Sequence, residues 1–207
     1  MRTEIRIVAG SLRGRKVECD VNPAMRPTPQ RTREALFSIL GNAVPERPFY
    51  DIFAGTGVVG LEAISRGASR TMFVERDFRL LDAIEKHLKR FNVQDRGRVI
   101  RADAYRWAER WTPSATEPAT LFLSPPFPDL EERPEEFLAL VSALMIRMAP
   151  GGVLVLQLEE CDLVQRLPDR DVWDIRTYGR NMLLFWVKPM DPEPPPSNPD
   201  QQEPIVV

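Results

Sequence analysis

The sequence predicts an α/β fold: a mostly parallel seven-stranded sheet with helices on both faces, an antiparallel hairpin at its C-terminal edge and a small β-hairpin extension at the N-terminus. Three observations carry this. From residue 49 onward, short apolar runs alternate with longer stretches of helical periodicity, the pattern of strands joined by crossover helices. The last two apolar runs are separated only by Gly179-Arg180-Asn181, too short for a crossover, so they pair antiparallel. The chain has 207 residues, 43% of them hydrophobic, enough for one sizeable core and too few for two.

In chain order, residues 4–9 alternate as a strand does, Gly10-Ser11 and Gly14 punctuate, and residues 15–19 return as a second strand. Thr28-Pro29 reads as a cap followed by a helix start. The apolar residues Ala35, Leu36, Ile39 and Leu40 fall at helical spacing, and Gly41 ends the run. Strands are then expected near 49–53, 71–75, 97–101, 119–123 and 152–158, and helices near 58–66, 77–91, 104–110, 134–148 and 160–167. The closing hairpin spans 171–178 and 182–187. Residues 189–207, with seven prolines, four acids and no base, cannot support a core and read as a disordered tail. This divides the chain into an N-terminal extension (1–45), a main domain (46–188) and the tail (189–207).

The formal net charge is only −2, yet residues 1–33 carry five excess positive charges. That local excess suits a polyanionic partner. Cys19 and Cys161 stand alone, without neighbours at metal-ligand spacing, so neither a metal site nor a disulfide framework is indicated. The N-terminus has Arg2, Glu4 and Arg6 where a signal peptide needs an apolar run, and no segment is long and apolar enough to span a membrane. A cytoplasmic monomer is expected.

The run from Asp51 through Phe53, Gly55 and Gly57 to Gly60 lies between the first strand of the alternating region and a helix, where backbone must approach a ligand closely. Glu75 ends the next strand, placed to accept the hydroxyls of a ribose. Asp103 ends the strand after that, where it suits an adenine amino group and equally the N-cap of a helix starting at Ala104. A glycine loop followed by an acid also fits a nicotinamide dinucleotide. Against that reading, Asp51 would repel a pyrophosphate but attract a cationic amino-acid group. Ser124-Pro125-Pro126-Phe127 after the fourth strand of this region also has no use in a dehydrogenase. Two prolines fix the chain there, holding the Ser124 hydroxyl and adjacent carbonyl toward the cleft while Phe127 offers a flat face to a base. Hydrogen bonds accepted from an exocyclic amine would localise its lone pair toward a methyl donor. Trp107 and Trp111, at i and i+4, read as helix-face packing. His87, among Glu85, Lys86, Lys89 and Arg90, reads as a solvated surface residue.

Several segments together resemble one bacterial family, the guanine-N2 methyltransferases of small-subunit (16S) ribosomal RNA. They are Arg6 to Lys16, Arg26-Pro-Thr-Pro-Gln-Arg-Thr-Arg-Glu-Ala-Leu-Phe37, the Asp51–Gly60 loop with Leu61-Glu62-Ala63 and Ser65-Arg66-Gly67-Ala68, and Tyr178-Gly179. The resemblance runs from about residue 5 to residue 187. It implies a class I (Rossmann-like) methyltransferase fold, S-adenosylmethionine as donor with S-adenosylhomocysteine as product, no metal, and ribosomal RNA or an assembling small subunit as partner. It further implies that Arg26, Arg31 and Arg33, with Arg13 and Arg15 of the hairpin, meet RNA. One residue departs from it, because the family carries an acid or amide where this chain has Ser124. A neutral hydroxyl accepts a weaker bond than a carboxylate, a difference of about 1–2 kcal/mol, or roughly a 5- to 30-fold slower transfer. That departure motivates a second reading, a methyltransferase-fold RNA-binding assembly factor without catalysis. A small-molecule methyltransferase is a third, and the basic N-terminal segment argues against it.

Overall fold

The computed structural model describes residues 2–20 and 27–190. Two short strands, β1 (Arg2–Arg6) and β2 (Lys16–Asp20), pair antiparallel as a separate two-stranded sheet. Helix α1 (Gln30–Leu40) follows, ending at Gly41. The main sheet is built from β3 (Pro48–Ile52), β4 (Arg70–Glu75), β5 (Gly97–Arg101), β6 (Thr120–Leu123), β7 (Val153–Glu159), β8 (Asp174–Tyr178) and β9 (Asn181–Val187) in the order β5-β4-β3-β6-β7-β9-β8. The pairs among β3 to β7 are parallel, and β9 is antiparallel to both β7 and β8. Between these strands run α2 (Val58–Ser65), α3 (Phe78–Arg90), α4 (Ala104–Arg110), α5 (Phe127–Glu132) and α6 (Pro134–Arg147). The strand order reverses between β3 and β6, and crevices for ligands open at the carboxyl ends of strands at such a point.

The central strands are apolar because both faces are covered: β3 and β6 are buried along their whole length. One hydrophobic cluster packs α4 and α6 on the sheet. A second joins Ile7, Leu12 and Val17 of the hairpin with Leu36 and Phe37 of α1 and Val58, Leu61 and Phe73 of the main domain. The N-terminal extension therefore shares a core with the sheet. Gly60 is part of that packing, since a Cβ there would sit 2.3 Å from the Phe73 ring.

Five expectations are corrected. The first strand of the sheet ends at Ile52, leaving Phe53 in the turn with φ +63°. The expected helix at 160–167 is a 3-10 turn, Asp162–Arg166, and the edge strand starts at Asp174 after another, Arg170–Val172. Thr28 is not the cap of α1: Pro29 holds that position, and the Thr28 hydroxyl goes to Gln157 instead. His87 is buried, because it falls on the apolar stripe of α3 with Ile84, Leu88 and Phe91, and β2 covers that stripe. Its Nε2 lies 2.7 Å from the Glu18 carbonyl oxygen, its ring stacks on Phe91, and burial pushes its pKa down. Trp107 and Trp111 pack around Tyr50 as expected, with Trp111 edge-on at 5.3 Å. The proposed tail lies outside the described residues from 191 onward. No helix among the described residues is long and apolar enough to cross a membrane.

Candidate active site

A cavity of about 560 Å³ opens at the carboxyl ends of β3, β4, β6 and β7. Its wall includes Asp51, Phe53, Gly55, Glu75, Asp103 and the whole corner from Ser124 to Phe127. Nine of the ten residues expected to hold donor or base are thus gathered in one space. Gly57 is the exception. With φ +70°, it faces Ile84, whose Cγ1 would lie 2.6 Å from an added Cβ, so this glycine serves the turn and helix packing.

Asp51 is 1% exposed, and its Oδ2 accepts the Gly60 amide at 2.8 Å. Burial pushes its pKa up to about 8; the Gly60 bond opposes the shift and the nearby Glu75 carboxylate adds to it. A cation beside it would reverse the effect, which suits an ammonium group. Glu75 is more fully occupied than the sequence implies. Its Oε1 accepts the Arg76 and Asp77 amides at 2.8 and 3.0 Å, and its Oε2 accepts the Gly55 amide at 2.9 Å. Three of about four acceptor positions are taken, so this arrangement leaves room for one ribose hydroxyl rather than two. Asp103 caps α4 by accepting from the Tyr105 and Arg106 amides, and its Oδ2 faces Arg133 at 3.4 Å. The cap reading of Asp103 holds, and this residue also lines the cavity. Phe53 holds left-handed backbone, a costly state for a side chain with a Cβ, and its ring meets Tyr105 edge-on at 5.6 Å beneath the loop.

Ser124 is anchored by its amide to the Ile52 carbonyl at 3.3 Å, which ties the corner to β3 across the switch point. Its hydroxyl has no partner among the described residues.

Of the expected RNA-binding arginines, Arg13, Arg15 and Arg31 are exposed, and Arg26 lies outside the described residues. Arg33 is a correction, being 1% exposed. Its Nη1 donates to the Thr28 carbonyl at 2.8 Å and its Nη2 to the Arg6 carbonyl at 2.7 Å. A guanidinium so committed fastens the segment before α1 to the hairpin and is not available to a phosphate. The hairpin is also held from the other side: Glu62 accepts the Val8 and Ala9 amides at 2.8 and 3.0 Å, and Ser65 Oγ accepts the Leu12 amide at 2.8 Å.

Sequence reasoning missed Gln157 and Asn181 and misread Thr28, all on the cavity wall. Gln157 carries a visible signal, a lone polar residue within the apolar run of residues 153–158.

The family described as Conserved hypothetical protein 95 matches residues 5–187. The chain belongs to this family. Its relatives include the candidate rRNA methyltransferase YlbH of Bacillus subtilis (strain 168), 28% identical over 184 residues, which cover 89% of this chain and 99% of that one. Ribosomal RNA small subunit methyltransferase D of Escherichia coli (strain K12) is 35% identical over 125 residues, spanning 60% of this chain and 61% of the relative. The solved structure of yhhF, a candidate methyltransferase from Escherichia coli, agrees with a TM-score of 0.71 at 26% identity, covering 91% of this chain and 100% of that one. The family resemblance read from the sequence is confirmed, with the Rossmann-like methyltransferase fold. The relatives are named as methyltransferases, and the donor that the sequence resemblance implies is S-adenosylmethionine. The acids on the cavity wall, Asp51, Glu75 and Asp103, are carboxylates that an ammonium, a ribose and an adenine amine would each suit.

Proposed function

We propose that the protein transfers a methyl group from S-adenosylmethionine to the exocyclic N2 amine of a guanine in small-subunit ribosomal RNA. The observation carrying this reading is the shared cavity. The donor-binding acids of β3 to β5 and the Ser124–Phe127 corner after β6 line one space, so donor and acceptor can meet there. The rRNA methyltransferase named among its relatives supports the substrate class.

The donor supplies a methyl on a sulfonium; transfer breaks that carbon–sulfur bond, forms a carbon–nitrogen bond and returns the electron pair to sulfur, and the amine passes its proton to water. The chain's own work is positioning. Phe127 stacks on the base, and Ser124 Oγ with the adjacent carbonyl accepts the amine hydrogens, which aims the nitrogen lone pair. Pro125 and Pro126 keep that corner from relaxing.

Mapping base methylation on ribosomal RNA from cells with and without the gene tests the reading, and absence of any differing guanine would end it. In single-turnover assays, Ser124→Ala is expected to slow transfer roughly 2- to 13-fold with donor affinity unchanged, the worth of one neutral hydrogen bond of about 0.5–1.5 kcal/mol. Ser124→Asp is expected to accelerate it, a charged two-oxygen acceptor making the stronger bond. Equal rates for all three proteins would remove Ser124 from the amine. No transfer on any ribosomal substrate, assembling subunits included, would favour an RNA-binding factor.

The exposed arginines carry the RNA affinity in this reading. Replacing Arg13, Arg15 and Arg31 with Ala together should flatten the salt dependence of RNA binding by up to about three units of log–log slope, leaving donor binding intact. An unchanged slope would take them out of the interface.

A further inference from the structure

We propose that Gln157 reads the acceptor base, its side-chain amide pairing with the N1–H and O6 of guanine so that it decides which purine is modified. This rests on the guanine-N2 reading above.

Gln157 sits in β7, a strand whose first six residues are buried, and it is itself 7% exposed. An amide in such a place costs stability unless it is bonded. Two of its four hydrogen-bonding positions are used within the protein. The Thr28 hydroxyl donates to Oε1 at 2.7 Å, and Nε2 donates to Asn181 Oδ1 at 3.2 Å. One acceptor position and one N–H remain. Those two neighbours fix the amide's orientation, as a recognition group requires, and all three residues line the cavity.

The order of strands supplies the second argument. Asp51 and Glu75 lie at the carboxyl ends of β3 and β4, and Asp103 follows β5; Ser124 follows β6; Gln157 and Asn181 lie on β7 and β9. Along the edge of guanine, the N2 amine, N1–H and O6 also run in sequence. A base whose amine is held at Ser124, next to the donor, presents N1–H and O6 toward the following strand, β7. The free positions of Gln157 are an acceptor for the first and a donor for the second. Reading a base by this edge is how enzymes that take a single nucleotide into a pocket discriminate.

The test uses a ribosomal RNA fragment in which the guanine modified by wild type is replaced by 2-aminopurine, which keeps the reacting amine but lacks O6 and the N1 hydrogen. Wild type is expected to prefer guanine by about 5- to 150-fold in kcat/KM, the range of one bidentate base contact. Gln157→Leu is expected to lose most of that preference, and Gln157→Glu, which keeps the acceptor for N1–H but turns the donor to O6 into an acceptor, a part of it, chiefly through guanine, with S-adenosylhomocysteine affinity unchanged. Glu keeps the acceptor for Thr28, so it carries the test if the Leu variant fails to fold. A purely structural Gln157 would slow both substrates alike and leave the preference intact, which overturns the inference, as does a wild type without preference. If wild type transfers to no guanine at all, the underlying function falls with it, whereas transfer with unchanged preference removes the inference alone.

Discussion

Replacing Asp51 with Asn is expected to weaken S-adenosylhomocysteine binding about 10- to 100-fold, the worth of one hydrogen bond to a charged partner in a dry site. Asp51 is sealed under the glycine loop with one oxygen committed to the Gly60 amide, and an asparagine there removes the charge that an ammonium would meet. The pH dependence is the sharper readout. Burial raises this carboxyl from 3.8 to about 8, so without ligand it holds its proton at neutral pH. The protonated form is the one the fold favours, so the empty protein loses stability as pH climbs from about 4 to about 8. Binding a cationic ligand favours the ionised form and expels the proton. Affinity should therefore rise up to about tenfold per pH unit between pH 6 and 8, level off above that, and show no such rise in the Asn variant. Calorimetry in two buffers of different ionisation enthalpy counts the proton. A wild-type affinity flat from pH 6 to 8 would separate Asp51 from the ammonium.

Arg33→Ala is expected to cost about 3 kcal/mol of stability, since the Thr28 and Arg6 carbonyls each lose a charged donor. For a chain of this size that is roughly 6–12 °C in Tm. Arg33→Lys should recover little, because a single ammonium cannot span two carbonyls as the guanidinium fork does. The salt slope of RNA binding should not change in either variant. A slope reduced by about one with Tm unaltered would return Arg33 to the RNA surface.

What could be read from the sequence followed from local physics. The alternation of strand and helix gave the sheet, because parallel strands buried on both faces must be apolar throughout. The cavity acids were legible because each lies at or just past the carboxyl end of a strand, where the topology opens. What escaped reading depends on pairings distant in the chain. Arg33 looks like every other arginine of a basic segment until Thr28 and Arg6 close around it. His87 looks solvated until β2 covers α3. The Thr28 hydroxyl suits a helix cap and is drawn away by Gln157, 129 positions later. Glu75 was placed correctly, but its bonds to Gly55, Arg76 and Asp77 reduce what it can offer a ribose.

The hold of Glu62 on the hairpin has a consequence for how the protein is made. Val8 and Ala9 wait for a carboxylate 54 and 53 positions downstream. At about 5–20 residues per second of translation, that is a delay of roughly 3–11 seconds in which the basic arm has left the ribosome ahead of its clamp. Arg13 and Arg15 are synthesised before α2, so the arm that carries them takes its fixed form only once Glu62 and Ser65 are in place to hold its backbone.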